Sequence, residues 1–271
     1  MANNRPTISI ITITYNSEKT LERTIKSIVS QEYDNLEYII IDGASKDRTL
    51  DIVEKYRDYI SVVVSEPDKG ISDAFNKGIK RATGEIIGII NSDDILLPGA
   101  LKAISDYYDP KIDVYRGRLI VNNPNTGFRF SSGMPHIHFS VSDYIKLKVN
   151  HPSTFISKKA YEKVGLYKVD VKYIMDIDML FRLSNAGCSF VYVPHDLAVF
   201  NIGGATSDSF YKKVTERYRV IRENGGSFFL GLYVAVRCMI KDIVKLLLDK
   251  VFGENFKNRL LRRKNLNKNP I

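Results

Sequence analysis

The sequence contains no tryptophan and only two cysteines, Cys188 and Cys238, among its 271 residues. Neither cysteine belongs to a CxxC pair or a His-rich segment, which argues against a disulfide framework and a structural zinc site and fits a reducing cytoplasm. No stretch reaches the roughly 18 uninterrupted apolar residues of a membrane-spanning helix. The opening MANNRPTISI lacks the charged and apolar regions of a signal peptide. Neither GxGxxG nor GxxxxGK[ST] occurs, so any phosphate must be held by something other than a glycine-rich loop. Net positive charge is small over most of the chain. The net charge is +9, but ten Lys or Arg against three Asp or Glu lie from Phe228 onward, leaving only +2 on the rest. A nucleic-acid-binding body would spread that charge over its fold.

What is present is a large potential core, with 44% hydrophobic residues in regular aliphatic runs. TISIITIT (residues 7–14), LEYIIID (36–42), ISVVVS (60–65) and EIIGIIN (85–91) are short, β-branched and apolar, as strands covered on both faces would be. Helical periodicity separates them over 17–31, with Ser17 as N-cap, and over 47–56 and 72–82, the last stopped by Gly84. The alternation predicts an α/β fold with a mostly parallel central sheet and helices on both faces. Pro98 is expected at the first position of another helix.

Later segments are more mixed. Residues 114–121 and 127–131 read as strands, 139–148 are ambiguous, 176–186 form a helix ended by Gly187, and 189–194 form a strand. A charged helix is predicted over 207–223, closed by Gly225 and Gly226.

Ligands of such sheets bind at the carboxyl ends of the strands, and polar residues fall there. Tyr15 and Asn16 follow the first strand, Asp42 ends the second, Glu66 and Asp68 follow the third, and Asp93 and Asp94 the fourth. Adjacent carboxylates repel one another unless solvent or a cation relieves them, which a hard divalent ion does well. A solvated turn in which Asp94 caps the next helix is the simpler alternative.

The segments ITITYN, IDGASKDRT, SEPDKGISDAFNKGIKRATGE and INSDDILLPGAL, in this order, resemble the nucleotide-sugar domain of family 2 inverting glycosyltransferases of the GT-A fold. That family includes enzymes of exopolysaccharide and O-antigen synthesis, and the resemblance is strong over residues 7–105. YIMDIDMLFRL is similar to the segment that carries the family's catalytic acidic residue, with Met175 where a Glu is frequent.

The resemblance implies a metal-dependent hexosyltransferase acting on a nucleotide-diphosphate donor, UDP-linked by expectation. Tyr15 and Asn16 would line the nucleotide pocket, and Asp42 would accept a bond from the base. Lys77 would sit near the diphosphate, with Asp68, Asp73 and Asn76 in the same segment; Asn76 serves equally well as helix packing. Asp93 would contact ribose and metal, and Asp94 would be the main ligand of Mn²⁺ or Mg²⁺. Asp176, ahead of Asp178, would be the base that deprotonates the acceptor hydroxyl, although both also favour a helix N-terminus.

The histidines carry less. His151 in NHPSTF resembles an acceptor-side loop or is structural, His195 is a surface residue before it is a third metal ligand, and His136 and His138 complete no site. Residues 228–252 form an amphipathic helix with Arg237, Lys241 and Lys245 at helical spacing. Ahead of the basic RLLRRKNLNK, it suits either the cytoplasmic face of a membrane or a protein surface.

The expected organisation is a catalytic domain over 1–226, with a donor half (1–105) and an acceptor half (106–226), and a basic extension over 227–271. The acceptor would be a glycan or a lipid-linked glycan. The competing readings are a nucleotide-sugar-binding module without activity, and a nucleotidyltransferase, which ITITYNSEKT does not favour because it lacks a basic glycine-rich signature.

Overall fold

The computed structural model describes residues 5–123, 127–141, 144, 151–201 and 210–252. The first half alternates strands and helices as the periodicities demand: β1 (Ile8–Thr14), α1 (Leu21–Val29), β2 (Leu36–Asp42), α2 (Thr49–Lys55), β3 (Val62–Ser65), α3 (Ile71–Arg81) and β4 (Ile86–Ile89). The second half holds β5 (Ile95–Leu96), α4 (Ala100–Asp106), β6 (Val114–Asn123), β7 (Phe128–Ser131), β8 (Thr154–Ser157), α5 (Lys158–Val164), α6 (Met175–Asn185), β9 (Phe190–Asn201), α7 (Phe210–Glu223) and α8 (Phe228–Phe252).

The strands join one sheet in the order β3-β2-β1-β4-β8-β6-β9-β5, with β7 beside β6. Pairing is parallel through β3, β2, β1 and β4. Beyond β4 it becomes mixed: β8 runs antiparallel to both β4 and β6, while β6 and β9 are parallel. The parallel character that the apolar runs predict therefore belongs to β1–β4, and the sheet as a whole is mixed.

Two apolar layers cover the sheet. Ile8 and Ile10 pack with Leu21, Ile25, Ile28, Leu101 and Ile104 on one face. Ile11, Ile39 and Ile41 pack with Phe75, Ile79, Met179 and Leu183 on the other. Helix α3 lies unusually close to β1, because a Cβ on Gly78 would stand 2.4 Å from Ile11 Cγ2. Gly78→Ala is therefore expected to destabilise the fold by about 1–3 kcal/mol through overpacking, read as a lower urea midpoint at unchanged m-value.

Several boundaries depart from the sequence expectation. Ser17 does not cap α1, which starts at Leu21 with Thr20 at the cap and no side-chain cap bond; the Ser17 hydroxyl instead meets Ser92 at 2.8 Å. Pro98 lies outside α4, whose N-cap is Gly99 at φ 77°. Pro194 does not end its strand. β9 continues to Asn201, and the proline falls at a register irregularity against Arg116 to Arg118, where no ladder donor is needed.

β8 and α5 were not legible as elements, although Ser157 accepts a bond from the Ala160 amide and Gly165 closes the helix at φ 80°. The charged helix α7 is described only from Phe210. Most of 139–148 and all of the basic segment after Phe252 lie outside the described residues.

Candidate active site

Because β1 to β4 are parallel, their carboxyl ends lie along one edge of the sheet, and the loops after them touch one another there. Thr14 is level with Asp42, and Asp42 with Ser65. Asp42 is fully buried, and its carboxylate accepts bonds from the Ser45 amide at 3.0 Å and the Ser65 hydroxyl at 2.6 Å, as well as from the Ser45 hydroxyl. It is thus oriented before any ligand arrives.

Asn16 stands at φ 48° and Ala44 at φ 63°, left-handed backbone that side chains adopt reluctantly and that collects at functional loops. Asn16 locks the two loops together, its amide donating to Ser45 Oγ and its Oδ1 accepting from the Lys46 amide, both at 2.8 Å. Tyr15 is left 62% exposed on the rim, and Gly43 lies between the side chains of Tyr15 and Asp68.

Lys77 does not project freely. Its ammonium lies 2.7 Å from Asp68, 3.1 Å from Glu66 and 3.7 Å from Asp73, and donates to the Pro67 carbonyl. Burial pulls its pKa down, but the bonds to Asp68 and Glu66 outweigh this and hold it above the ordinary value. It is the hub of the β3–α3 loop. Asn76 is spent on packing, bonding the Tyr167 backbone in both directions at 2.8 and 2.9 Å.

Asp93 and Asp94 follow β4 in a turn fixed from three sides. Thr24 of α1 donates to the Asp94 carbonyl at 2.7 Å, while Asn201 at the end of β9 and Arg23 both reach the Asp93 carbonyl. Asp94 is 0% exposed. Burial, then the neighbouring Asp93 charge, raises its pKa well above the carboxylate range; burial also raises that of Asp93.

Three buried oxygens here have no hydrogen-bond partner: Asp94 Oδ1, Asn91 Oδ1 and Thr14 Oγ1. Unbonded buried acceptors at the strand ends suit a hard cation, which takes oxygen ligands and needs no donor. Among the described residues no group of three or more His, Cys, Asp or Glu converges on a metal position, so protein would supply only part of the coordination. His195 lies exposed on β9, and the His136 carbonyl accepts from Arg116.

Helix α6 presents two carboxylates in opposite circumstances. Asp178 is 1% exposed and saturated, by Arg182 at 2.9 Å, Lys168 at 3.1 Å and Asn224 at 3.1 Å. Asp176 accepts from the Ile177 amide at 2.9 Å and lines a small cavity with His151, Thr154, Tyr161 and Tyr167. Burial pushes its pKa up to about 6, against the opposing influence of that amide and of the fully buried Arg116.

Glu216 of α7, which the sequence did not single out, caps the entrance to this helix. It accepts from the amides of Lys172, Tyr173 and Ile174 at 2.7–2.9 Å. Glu216→Ala leaves buried donors unbonded and should lower stability by roughly 2–4 kcal/mol, with Glu216→Gln retaining part of it, as thermal melting would show.

The curled α/β sheet, with acidic residues at its strand ends, has the GT-A fold of glycosyltransferases. It superimposes on a crystal structure of Staphylococcus aureus TarS 1–349 in complex with UDP-GlcNAc at TM-score 0.64 and 20% identity, over 80% of this chain and 65% of that one. It also matches a mannosyltransferase of Pyrobaculum calidifontis in complex with GDP-Man and Mn²⁺ at TM-score 0.62 and 18% identity, over 96% of this chain and 80% of that one.

The sequence profile of Glycosyl transferase family 2 matches residues 9–165. The chain belongs to that family. An uncharacterised glycosyltransferase of Rickettsia typhi is 27% identical over 72% of this chain, which spans 63% of that protein's length. A putative teichuronic acid biosynthesis glycosyltransferase of Bacillus subtilis is 37% identical over 97 residues, 35% of this chain and 38% of that one.

Proposed function

We propose that the chain transfers one sugar, with inversion, from a nucleotide-diphosphate donor, a UDP-sugar, to a hydroxyl of a glycan or lipid-linked glycan in surface polysaccharide assembly. One observation carries the reading: of the two acidic residues on α6, Asp178 is paired with Arg182 and Lys168, while Asp176 has no ion-pair partner at contact distance among the described residues and lines a cavity. The acceptor hydroxyl would hydrogen-bond Asp176, which takes its proton as the oxygen attacks the anomeric carbon.

Tyr15, Asn16 and Asp42 would hold the nucleoside, and the loop tethered by Lys77 would flank the diphosphate. Asp94, with Asp93, would hold Mn²⁺ or Mg²⁺, an ion that stabilises charge on the departing diphosphate. Residues 1–226 would form the catalytic unit, divided near residue 105 into donor and acceptor halves. UDP with Mn²⁺ should raise the melting temperature of the full chain, because a ligand bound only by the folded state shifts the equilibrium by mass action. A panel in which no nucleotide does so would count against the donor assignment.

The extension 227–271 would hold the enzyme peripherally on a cytoplasmic membrane face. Val234 and Ala235 of α8 are buried against the body, whereas Phe229 (80% exposed), Tyr233, Val236, Ile240, Ile243 and Leu247 form an outward apolar stripe flanked by Arg237. Among the described residues no helix is long and apolar enough to cross a membrane, which fits a helix lying in the interface. Ile240→Glu with Ile243→Glu should weaken flotation with phosphatidylglycerol vesicles at least tenfold and leave donor binding unchanged. Equal flotation of the variant would exclude this surface.

A further inference from the structure

Strand β9 ends at Asn201, a buried residue whose register partner on the parallel strand β6 is Asn122. Their side chains meet, Asn122 Nδ2 donating to Asn201 Oδ1 at 2.8 Å. Asn201 Nδ2 in turn donates to the Asp93 carbonyl at 2.5 Å, across 108 positions of sequence. A carbonyl can only accept, so the Asp93 oxygen fixes which end of the Asn201 amide faces it, and Oδ1 is left for Asn122.

The bond lands on the peptide that joins the two aspartates. That peptide is planar and is held at both ends. Its carbonyl is bonded by Asn201, with Arg23 at 3.5 Å, and its N–H, which belongs to Asp94, donates to the Asn91 carbonyl at 3.0 Å. The orientation of this plane sets the Cα–Cβ bonds on either side of it, and with them the two carboxyl groups. Adjacent carboxylates repel, and a free turn relieves that repulsion by rotating the peptide between them. Burial and then the Asp93 charge raise the Asp94 pKa, and the Asn201 backbone amide leads the opposing influences.

We infer that Asn201, oriented by Asn122, is a positioning residue for the cation: it holds the Asp93–Asp94 peptide in the orientation that presents both carboxyl groups to one ion. The inference rests on the reading of Asp93 and Asp94 as ligands and goes beyond it. It assigns part of the ion's affinity to β6 and β9, strands outside the parallel set that leads into the aspartates. Groups that orient a ligand from outside the coordination sphere contribute roughly 10–100-fold to metal affinity.

The test is calorimetric titration of Mn²⁺ into the full chain saturated with UDP. Asn201→Ala should weaken Mn²⁺ binding roughly tenfold, the lower end of that range because the peptide keeps its bonds to Asn91 and Arg23. Asn122→Ala leaves the Asn201 donor but frees its amide, and should cost about threefold, less than one full hydrogen bond. Because Asn122 acts through Asn201, adding Asn122→Ala to Asn201→Ala should cost nothing more. Each lost bond lowers the melting temperature by about 2–4 °C whatever happens to the ion, so affinity is read separately from stability. In ¹⁵N-asparagine-labelled protein the side-chain amide resonance lost in Asn201→Ala should move when Mg²⁺ is added to the UDP-bound chain, and should stay in place in Asp94→Asn.

Wild-type Mn²⁺ affinity in Asn201→Ala, additive losses in the double variant, or an amide resonance that Mg²⁺ leaves in place overturns the inference. Should Asn201→Ala fail to fold, Asn122→Ala decides, and an unchanged affinity there overturns it. Asp94→Asn is titrated alongside: wild-type affinity in that variant sinks the ligand assignment, whereas a loss there with none in Asn201→Ala sinks the positioning role alone.

Discussion

Asp94→Asn is expected to lower kcat/KM for transfer by roughly 10³-fold, equivalent to several kcal/mol of lost charge stabilisation on the leaving group. The substitution changes almost nothing else. The side chain is fully buried, and Asn has the same volume and keeps an oxygen to accept from Asn91 Nδ2, 3.2 Å away. The Thr24 hydroxyl and the Asn201 side-chain amide donate to the Asp94 and Asp93 carbonyls rather than to the carboxylate. Stability should hold or rise at neutral pH. The folded-state pKa of Asp94 is raised, so its stabilising influence is present only below the unfolded value and is lost as pH rises through the folded one.

Activity and stability therefore move apart. The measurement is kcat/KM with and without EDTA, with calorimetric titration of Mn²⁺ in the presence of UDP. A variant that turns over like wild type, or a wild type indifferent to EDTA, removes the cation from the proposal.

The parts of the molecule legible in the sequence are those whose signal is local. The alternation of apolar runs and amphipathic stretches over the first ninety or so residues gave the parallel strands, and with them the strand-end position of Asp42, Asp93 and Asp94. Elements with little local signature escaped. β5 is two residues long, and β8 is a four-residue strand, Thr154–Ser157, with little room for a periodic pattern. The proline rule misplaced the end of β9 because a register irregularity accommodates Pro194.

Partners distant in sequence were also invisible. The Asn76 bonds to Tyr167 span 91 positions, the Thr24 bond to Asp94 spans 70, and the Asn201 bond to Asp93 spans 108. Nothing in the neighbourhood of Glu216 marks it as the cap of another helix. Lys77 shows the same limit: the resemblance implies a basic residue near the diphosphate, but only tertiary structure reveals three carboxylates around it.

Asp176→Asn should reduce kcat by roughly 10²–10⁴-fold, the usual contribution of a positioned general base, with donor affinity unchanged. The asymmetry on α6 makes the comparison internal. Asp178→Asn breaks a buried network with Arg182, Lys168 and Asn224 and should cost stability first, because Arg182 loses its carboxylate and Lys168 keeps only Glu223. Asp176→Asn removes a carboxyl whose pKa burial has raised to about 6.

The sign of its stability effect follows from that direction. A carboxyl with a raised folded-state pKa stabilises the fold only while protonated, and the contribution fades as pH rises from the unfolded value, near 4, through 6. At pH 8 wild type thus carries a buried charge that Asp176→Asn lacks, and the variant should melt at the same temperature or higher. The same pKa governs catalysis in the opposite sense. The base works only when ionised, so wild-type kcat/KM should fall about tenfold per unit below pH 6, and the residual activity of Asp176→Asn should lose that limb. An acid limb that survives in Asp176→Asn would assign it, and the base, to another group.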